Sequence, residues 1–405
     1  MMKRVMAFFF LFITVSVLLL GDKVSVSQAK PLKMERKIVV FKPEISDEVI
    51  KDNLIEKFSG QRIKNLRLIN ARVAFLSSSA QQNLEKQPGI LRIDDDVIVE
   101  ALLSWNRRIK PTRIPKPTST PTPTATPTPI ATQNLPWGID RIDADLAWTT
   151  SSGSGIKVAI IDTGIDTGHP DLTANIKGGV NTIKSWVGYN DDNGHGTHVA
   201  GIVAALNNDY GVVGVGPQID LYAVKALDRR GSGYLSDVIE GLDWAIQNNM
   251  QVVNMSLGTT SDIQSFSEAV QRVNSAGIVQ VAAAGNDGKA VNYPAAYPEV
   301  IAVSATDQTD TIASWSSRGA EIDLAAPGVS IYSTYKNSAY KTLSGTSMAS
   351  PHVAGAAALV LTVCETCNPA EVQQRLESTA EDLGISGKDN LYGSGLVDVQ
   401  KAVTQ

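Results

Sequence analysis

The chain has 405 residues, enough for one large domain with accessory units, and a formal net charge of -5. That sum hides a split: residues 1–130 carry 21 Lys and Arg against 12 Asp and Glu, net +9, and residues 131–405 carry 15 against 29, net -14. An acidic main region argues against nucleic acid as a partner, and the only cysteines, Cys364 and Cys367, are two ligands short of a zinc site.

In chain order, Lys3 and Arg4 precede a mostly apolar run over residues 5–20, and Ser27 and Ala29 are spaced like the small residues of a signal-peptidase site. This predicts a secretory signal over residues 1–29 and no stable membrane insertion after its removal. An uncleaved anchor is the alternative, because a spanning helix needs only about 20 apolar residues. Residues 30–101 read as a small α+β unit: strand "KIVVF", helix "SDEVIKDNLIEKFSG", strands within "KNLRLINARVAFLS", helix "SAQQNLEKQ" and a strand "ILRIDDDVIVEA". Residues 102–132 include "KPTSTPTPTATPTPIAT", whose alternating Pro and Thr cannot form a helix or a central strand. This is an extended linker of about 3 Å per residue.

From residue 133 to residue 405, apolar strands ("KVAIID", "DLYAVKALD", "QVVNMSLG", "IVQVAAAGN", "VIAVSATD") alternate with amphipathic helical stretches. Continuous Val/Ile/Ala strands are buried on both faces, so the fold class is α/β: a three-layer parallel sheet with helices on both faces. In an oxidising compartment, Cys364 and Cys367 in Cys-Glu-Thr-Cys are expected to form a local disulfide, with free thiols as the alternative.

The stretch "VAIIDTGIDTGHPDL" contains Asp-Thr-Gly twice, at Asp162 and Asp166. Two such turns serve aspartic proteases only when separate lobes bring the carboxylates together, which four residues of separation on one segment forbids. Asp162 ends a predicted strand, where open α/β sheets collect catalytic groups; Asp166 reads as a loop hydrogen-bonding carboxylate. "NGHGTHVAG" sets His195 between glycines before a helix. "SGTSMASPHVAG" sets Ser347 at a helix start, where unpaired N–H groups meet an oxyanion. A serine hydroxyl needs a base and an imidazole needs a carboxylate, and these three residues supply all three parts. His169, His198 and His352 read as structural. An α/β-hydrolase would require Gly-x-Ser-x-Gly, but Ala349 breaks that pattern.

Here the sequence resembles the subtilisin-like serine peptidases: "IIDTGID", "GHGTHVAG" and "GTSMASPHVAG" stand in the family's order, and "NYPAAYPEVIAVSATD" is similar to thermitase-type members. The resemblance implies a catalytic triad of Asp162, His195 and Ser347, with Asn286 of "AAAGNDG" in the oxyanion hole. It implies a peptide bound as a strand between Gly231, Ser232, Gly233 and Ser256, Leu257, Gly258, with Leu235 on the S4 wall and Asn292 and Asp287 near S1. It implies one Ca²⁺, held by Gln133, Asp171, Leu206, Asn208, Tyr210 and Val212; oxygen ligands with one carboxylate suit calcium rather than magnesium. A second cation site near Glu321 and Asp323 is a weaker expectation. It further implies that residues 30–101 are an inhibitory prodomain, acting in cis or trans, of a secreted, self-processing, monomeric endopeptidase. Protein and peptide substrates are expected with broad specificity and an apolar or aromatic P1 residue, since no acid cluster of the dibasic-cutting kind is present. A binding module on an inactive peptidase fold is the rival, and the intact triad argues against it.

Overall fold

The computed structural model describes residues 33–102 and 132–405. The expected signal (1–29) and, except for Leu102 and Thr132, the expected linker (102–132) lie outside the described residues. The N-terminal region runs β1 (Met34–Phe41), α1 (Glu48–Lys57), β2 (Gln61–Leu66), β3 (Ala71–Ser77), α2 (Ser78–Glu85), β4 (Ile90–Asp95) and β5 (Ile98–Ala101). Asp47 and Ser77 start the two helices by accepting backbone N–H groups of the first turn. Strands β1 to β4 form an antiparallel sheet in the order β2-β3-β1-β4.

This small sheet has two apolar faces, as the period of two in β1 dictates. Val39 and Phe41 pack on Ile55 and Leu84 of its own helices. Ile38 and Val40, with Leu66, Ile69 and Val73, instead join the core of the larger region. The single strand expected in "ILRIDDDVIVEA" is two: the chain leaves its own sheet at Asp96, whose carboxylate is bonded elsewhere, and β5 belongs to another sheet.

The larger region contributes α3 (Trp137–Arg141), α4 (Ala144–Ala147), β6 (Lys157–Asp162), β7 (Ile176–Asn181), α5 (His195–Ala204), β8 (Asp220–Lys225), β9 (Ser232–Tyr234) and α6 (Leu235–Gln247). It continues with β10 (Val252–Met255), β11 (Leu257–Gly258), α7 (Gln264–Ser275), β12 (Val279–Ala283), β13 (Ile301–Thr306) and β14 (Leu324–Pro327). The hairpin β15 (Ile331–Tyr335) and β16 (Ala339–Leu343) precedes α8 (Thr346–Val363), α9 (Pro369–Thr379) and α10 (Val399–Thr404). Seven parallel strands lie in the order β14-β13-β12-β10-β6-β8-β7. In β6, Val158 and Ile160 face the layer holding α5 and α8, and Ala159 and Ile161 face the layer holding α6 and α7. This is the three-layer α/β fold expected.

Strand order reverses at β6: from β6 the chain goes to the edge strand β7, returns to β8 between the two, and then crosses to the other side at β10. Asp162 closes β6 at that switch point, the position where such sheets bind ligands. Helix α8 is apolar and long enough to cross a membrane, but 89% of it is buried inside the fold, so it is a core helix. Cys364 and Cys367 are disulfide-bonded at its C-terminal end.

His169, His198 and His352 are fully buried, each with a ring nitrogen against a backbone carbonyl. Burial holds the His198 imidazole down at about 3 and that of His352 at about 4. Between these values and about 6.5 the unfolded chain binds more protons than the folded one. Stability is therefore complete above about pH 6.5 and falls as pH drops, by about 1.4 kcal/mol per unit for each histidine. Thermal unfolding of the protein, followed from neutral to mildly acidic pH, should show this decline, and His352→Leu should make it shallower. An unchanged slope would remove the burial of neutral His352 as a cause.

Candidate active site

Asp162, His195 and Ser347 come from the ends of three core elements, β6, α5 and α8, and all are buried at 1% exposure or less. His195 Nδ1 lies 2.7 and 2.9 Å from the two Asp162 carboxylate oxygens. Gly196 makes this approach possible, since a Cβ there would stand 2.2 Å from the Gly164 carbonyl oxygen. Gly194 is required too: its φ is +110°, and a Cβ would enter the Tyr335 ring.

Asp191, not singled out in the sequence, ties the two segments together. Its Oδ1 accepts from Thr163 Oγ1 and from the N–H groups of Asn193 and Gly194 at 2.8–2.9 Å. Its Oδ2 accepts from Thr197 N and Oγ1 at 3.0 and 2.6 Å. A carboxylate there satisfies and favours the positive start of α5, fixing the helix that carries His195 against the loop that follows Asp162. "NDDNG" offers two adjacent aspartates, and only the fold distinguishes Asp191 from Asp192, which pairs with Lys225.

Ser347 stands in the first turn of α8, and Pro351 inside the helix has no N–H to offer the Ser347 carbonyl. Ser256 Oγ donates to that carbonyl at 2.9 Å instead. The Ser347 hydroxyl donates to the Ser256 carbonyl at 2.9 Å, and His195 Nε2 is buried without a partner. Thus Asp162 and His195 are already joined, whereas the serine hydroxyl is turned to the substrate-side backbone. Asn286 is oriented by Thr346, whose N–H and hydroxyl both donate to Asn286 Oδ1 at 2.9 Å. Its Nδ2 is thereby directed outward.

What Nδ2 meets is part of the same chain. Strand β5 lies antiparallel between β9 and β11, with Val99 opposite Gly233, Glu100 opposite Ser232 and Gly258, and Ala101 opposite Leu257. Beyond it, Ala101 N donates to the Gly231 carbonyl at 2.9 Å and Leu102 N to the Ser256 carbonyl at 3.2 Å. Asn286 Nδ2 donates to the Leu102 carbonyl at 2.5 Å. Leu235 N donates to the Val97 carbonyl, and its side chain shares an apolar cluster with Val99 and Leu257. Asn292 and Asp287 line the cleft beside Leu102.

The N-terminal region is also bonded to the start of two helices. Asp96 accepts from Ser236 N at 2.8 Å at the start of α6, and Asp94 from Ser265 N at 3.0 Å at the start of α7. Arg36 is paired with Asp96 and packs over the Tyr234 ring. Lys64 is paired with Asp237 and Glu240, and Arg92 lies 2.7 Å from Glu268. Basic groups of the front region thus meet acidic groups of the main one.

At the other end of the main region, Gln133 Nε2 faces the carbonyls of Leu206 and Val212 at 2.7 and 3.2 Å and Asn208 Oδ1 at 3.5 Å. Asp171 accepts from Asn208 Nδ2 and Val212 N, each at 2.8 Å, and burial pushes its carboxyl up. Tyr210 joins this group through its N–H on Asn208 Oδ1 and its hydroxyl on the Pro170 carbonyl. At Asp323, where a second cation was expected, the Lys388 ammonium lies 2.7 Å from Oδ1 and Ala302 N donates to Oδ2. A side-chain cation stands there.

A family model described as the subtilase family matches residues 153–395. The chain is 42% identical over 391 residues to subtilisin J of Geobacillus stearothermophilus, covering 94% of both chains. It is 41% identical to subtilisin E of Bacillus subtilis (strain 168) over the same length, again covering 94% of both. To subtilisin Savinase of Lederbergia lenta it is 49% identical over 272 residues, covering 67% of this chain and 99% of that one.

Proposed function

This chain belongs to the subtilase family and is a serine endopeptidase, and we propose that it is secreted, cuts its own precursor and is held inactive by its N-terminal region until that region leaves. In this reading Ser347 attacks the scissile carbonyl, and His195 Nε2 takes the proton and returns it to the leaving amine. Asp162 holds Nδ1–H and stabilises the imidazolium. For attack, the Ser347 hydroxyl exchanges the Ser256 carbonyl for the unpartnered Nε2. Asn286 Nδ2 and the Ser347 N–H receive the oxyanion.

The observation that carries this reading is the course of residues 98–102: a strand paired on both sides, ending with the Leu102 carbonyl on Asn286. Leu102 is then the P1 residue, one residue beyond the boundary drawn from sequence. A Cβ on Gly258 would come within 3.2 Å of Leu102 Cδ1, so this glycine leaves room for an apolar P1 side chain. The prodomain role of residues 30–101 is further supported by the relatives that match 94% of the chain, a share too large for residues 133–405 to hold alone. In the trans arrangement, isolated residues 30–101 should block labelling of Ser347 by a fluorophosphonate, and block it less at high salt, because Lys64 and Arg92 of the fragment meet Asp237, Glu240 and Glu268 of the acidic main region. Labelling untouched by that fragment would refute the inhibitory role; no labelling at all would refute the triad.

Calcium fits the Gln133 group. Among the described residues no cluster of three His, Cys, Asp or Glu side chains stands, so a site must be built on amide and backbone oxygens, as hard cations prefer. The Gln133 amide nitrogen already takes the cation's place among acceptor oxygens, and turning that amide presents one more. Asp171 supplies the one carboxylate of the group, and a cation beside it would offset its burial. A bound ion would clip the segment at Gln133 to two loops and stabilise the fold by mass action. Chelation with EDTA should therefore speed thermal inactivation, and Asp171→Ala should be as labile as the chelated parent and insensitive to EDTA. An EDTA-resistant parent would remove the site.

A further inference from the structure

We propose that Arg230 selects an acidic residue at the third position before the cut, so that this enzyme favours peptides of the form apolar-acidic-small-apolar. The inference rests on reading the β9–β11 groove as the substrate cleft, and it concerns a side chain that no backbone pairing requires. Strand β5 supplies the peptide: Val99 is fully buried, Glu100 is exposed, and Ala101 and Leu102 follow into the cleft. Glu100 lies opposite Ser232 on β9 and Gly258 on β11, neither of which carries charge. Arg230 stands two residues before Ser232, in the turn that leads into β9, and lines the same cleft as Glu100 with a side chain long enough to reach across it.

The turn that presents Arg230 is fixed. Gly231 N donates to the Asp228 carbonyl and Asp228 N to the Ser232 carbonyl, both at 2.9 Å. The Asp228 carboxylate accepts from Arg230 N at 2.8 Å and from Ser232 N at 3.2 Å. Gly231 sits at φ +79°, which closes the turn beside Ala101. The backbone of Arg230 is thus held while its side chain is exposed and lines the cleft with Glu100. The other charged side chain there, Asp287, stands on the Asn286 and Asn292 wall, where Ser317 Oγ and Lys289 N donate to it. One wall of the cleft is therefore basic at the level of Glu100, in a main region that is otherwise strongly acidic.

The test uses mature enzyme produced from the full chain and three peptides that differ only in X of Val-X-Ala-Leu before the cut: Glu, Gln and Lys. The expected order of kcat/KM is Glu, then Gln, then Lys, with Glu over Lys by about fivefold at low ionic strength and converging in concentrated salt, the size of an exposed ion pair. Arg230→Glu should invert the order. Because each ratio is taken within one enzyme preparation, partial misfolding of the variant does not affect it. Equal rates for the three peptides, or a Glu preference that survives in Arg230→Glu, would overturn the assignment while leaving the endopeptidase reading intact. Failure to cut any of the three would overturn both.

Discussion

Ser347→Ala is expected to accumulate as an uncut precursor in which residues 98–102 still occupy the groove, whereas the parent protein is recovered with a new N-terminus at residue 103. The Leu102 carbonyl is already polarised by Asn286 and its N–H is held by Ser256, so the variant lacks only the attacking oxygen. Binding without attack leaves the strand as a permanent occupant. Any residual hydrolysis of an added peptide should fall by roughly 10⁶, the order found when the nucleophile of subtilisin is removed. N-terminal sequencing and gel mobility of the two proteins, made in a host without other extracellular proteases, check this. A processed Ser347→Ala chain would refute self-cleavage, and a parent beginning elsewhere than at residue 103 would refute Leu102 as P1.

Asn286→Ala should give a folded enzyme whose kcat is lower by roughly 10²- to 10³-fold with a much smaller change in KM, the cost of one oxyanion donor in this family. The asymmetry arises because a donor fixed in place is felt most when the carbonyl oxygen gains full charge. The same amide also accepts from Thr346 N and Oγ1, next to Ser347, so displacement of Ser347 is a second route to lost activity. Thr346→Val separates the two: it removes one bond that orients the amide but leaves Nδ2 in place. It should therefore cost distinctly less than Asn286→Ala. Equal losses in the two variants would make Asn286 a positioning residue for α8 rather than a group that touches the reacting oxygen.

The placement of Asp162, His195 and Ser347 was legible because each stands in a short stretch whose local needs are written beside it. An apolar strand ends at Asp162, glycines flank His195, and a helix opens at Ser347. Gly194 and Gly196 are where they are because a Cβ would collide with the Tyr335 ring or the Gly164 carbonyl. Such constraints act over a few residues and leave a mark on sequence. The buried-on-both-faces strands announced the parallel sheet in the same way.

The layered fold, the three motifs and the charge split between front and main regions could all be read from the chain before folding. Partners across the fold were decided only by tertiary structure. The clearest instance is the run Asp94, Asp95, Asp96, three identical side chains in succession. Asp94 meets the start of α7, Asp95 the ammonium of Lys37 at 2.5 Å, and Asp96 the start of α6 together with Arg36. Asp191 and Asp192, or Lys388 standing where a metal was expected, pose the same problem. Periodicity records which side of an element is apolar, because water is excluded from it whatever lies opposite. It does not record what lies opposite, since a carboxylate is satisfied equally by a helix start, a lysine or an ion, and the choice is made when distant segments are packed together.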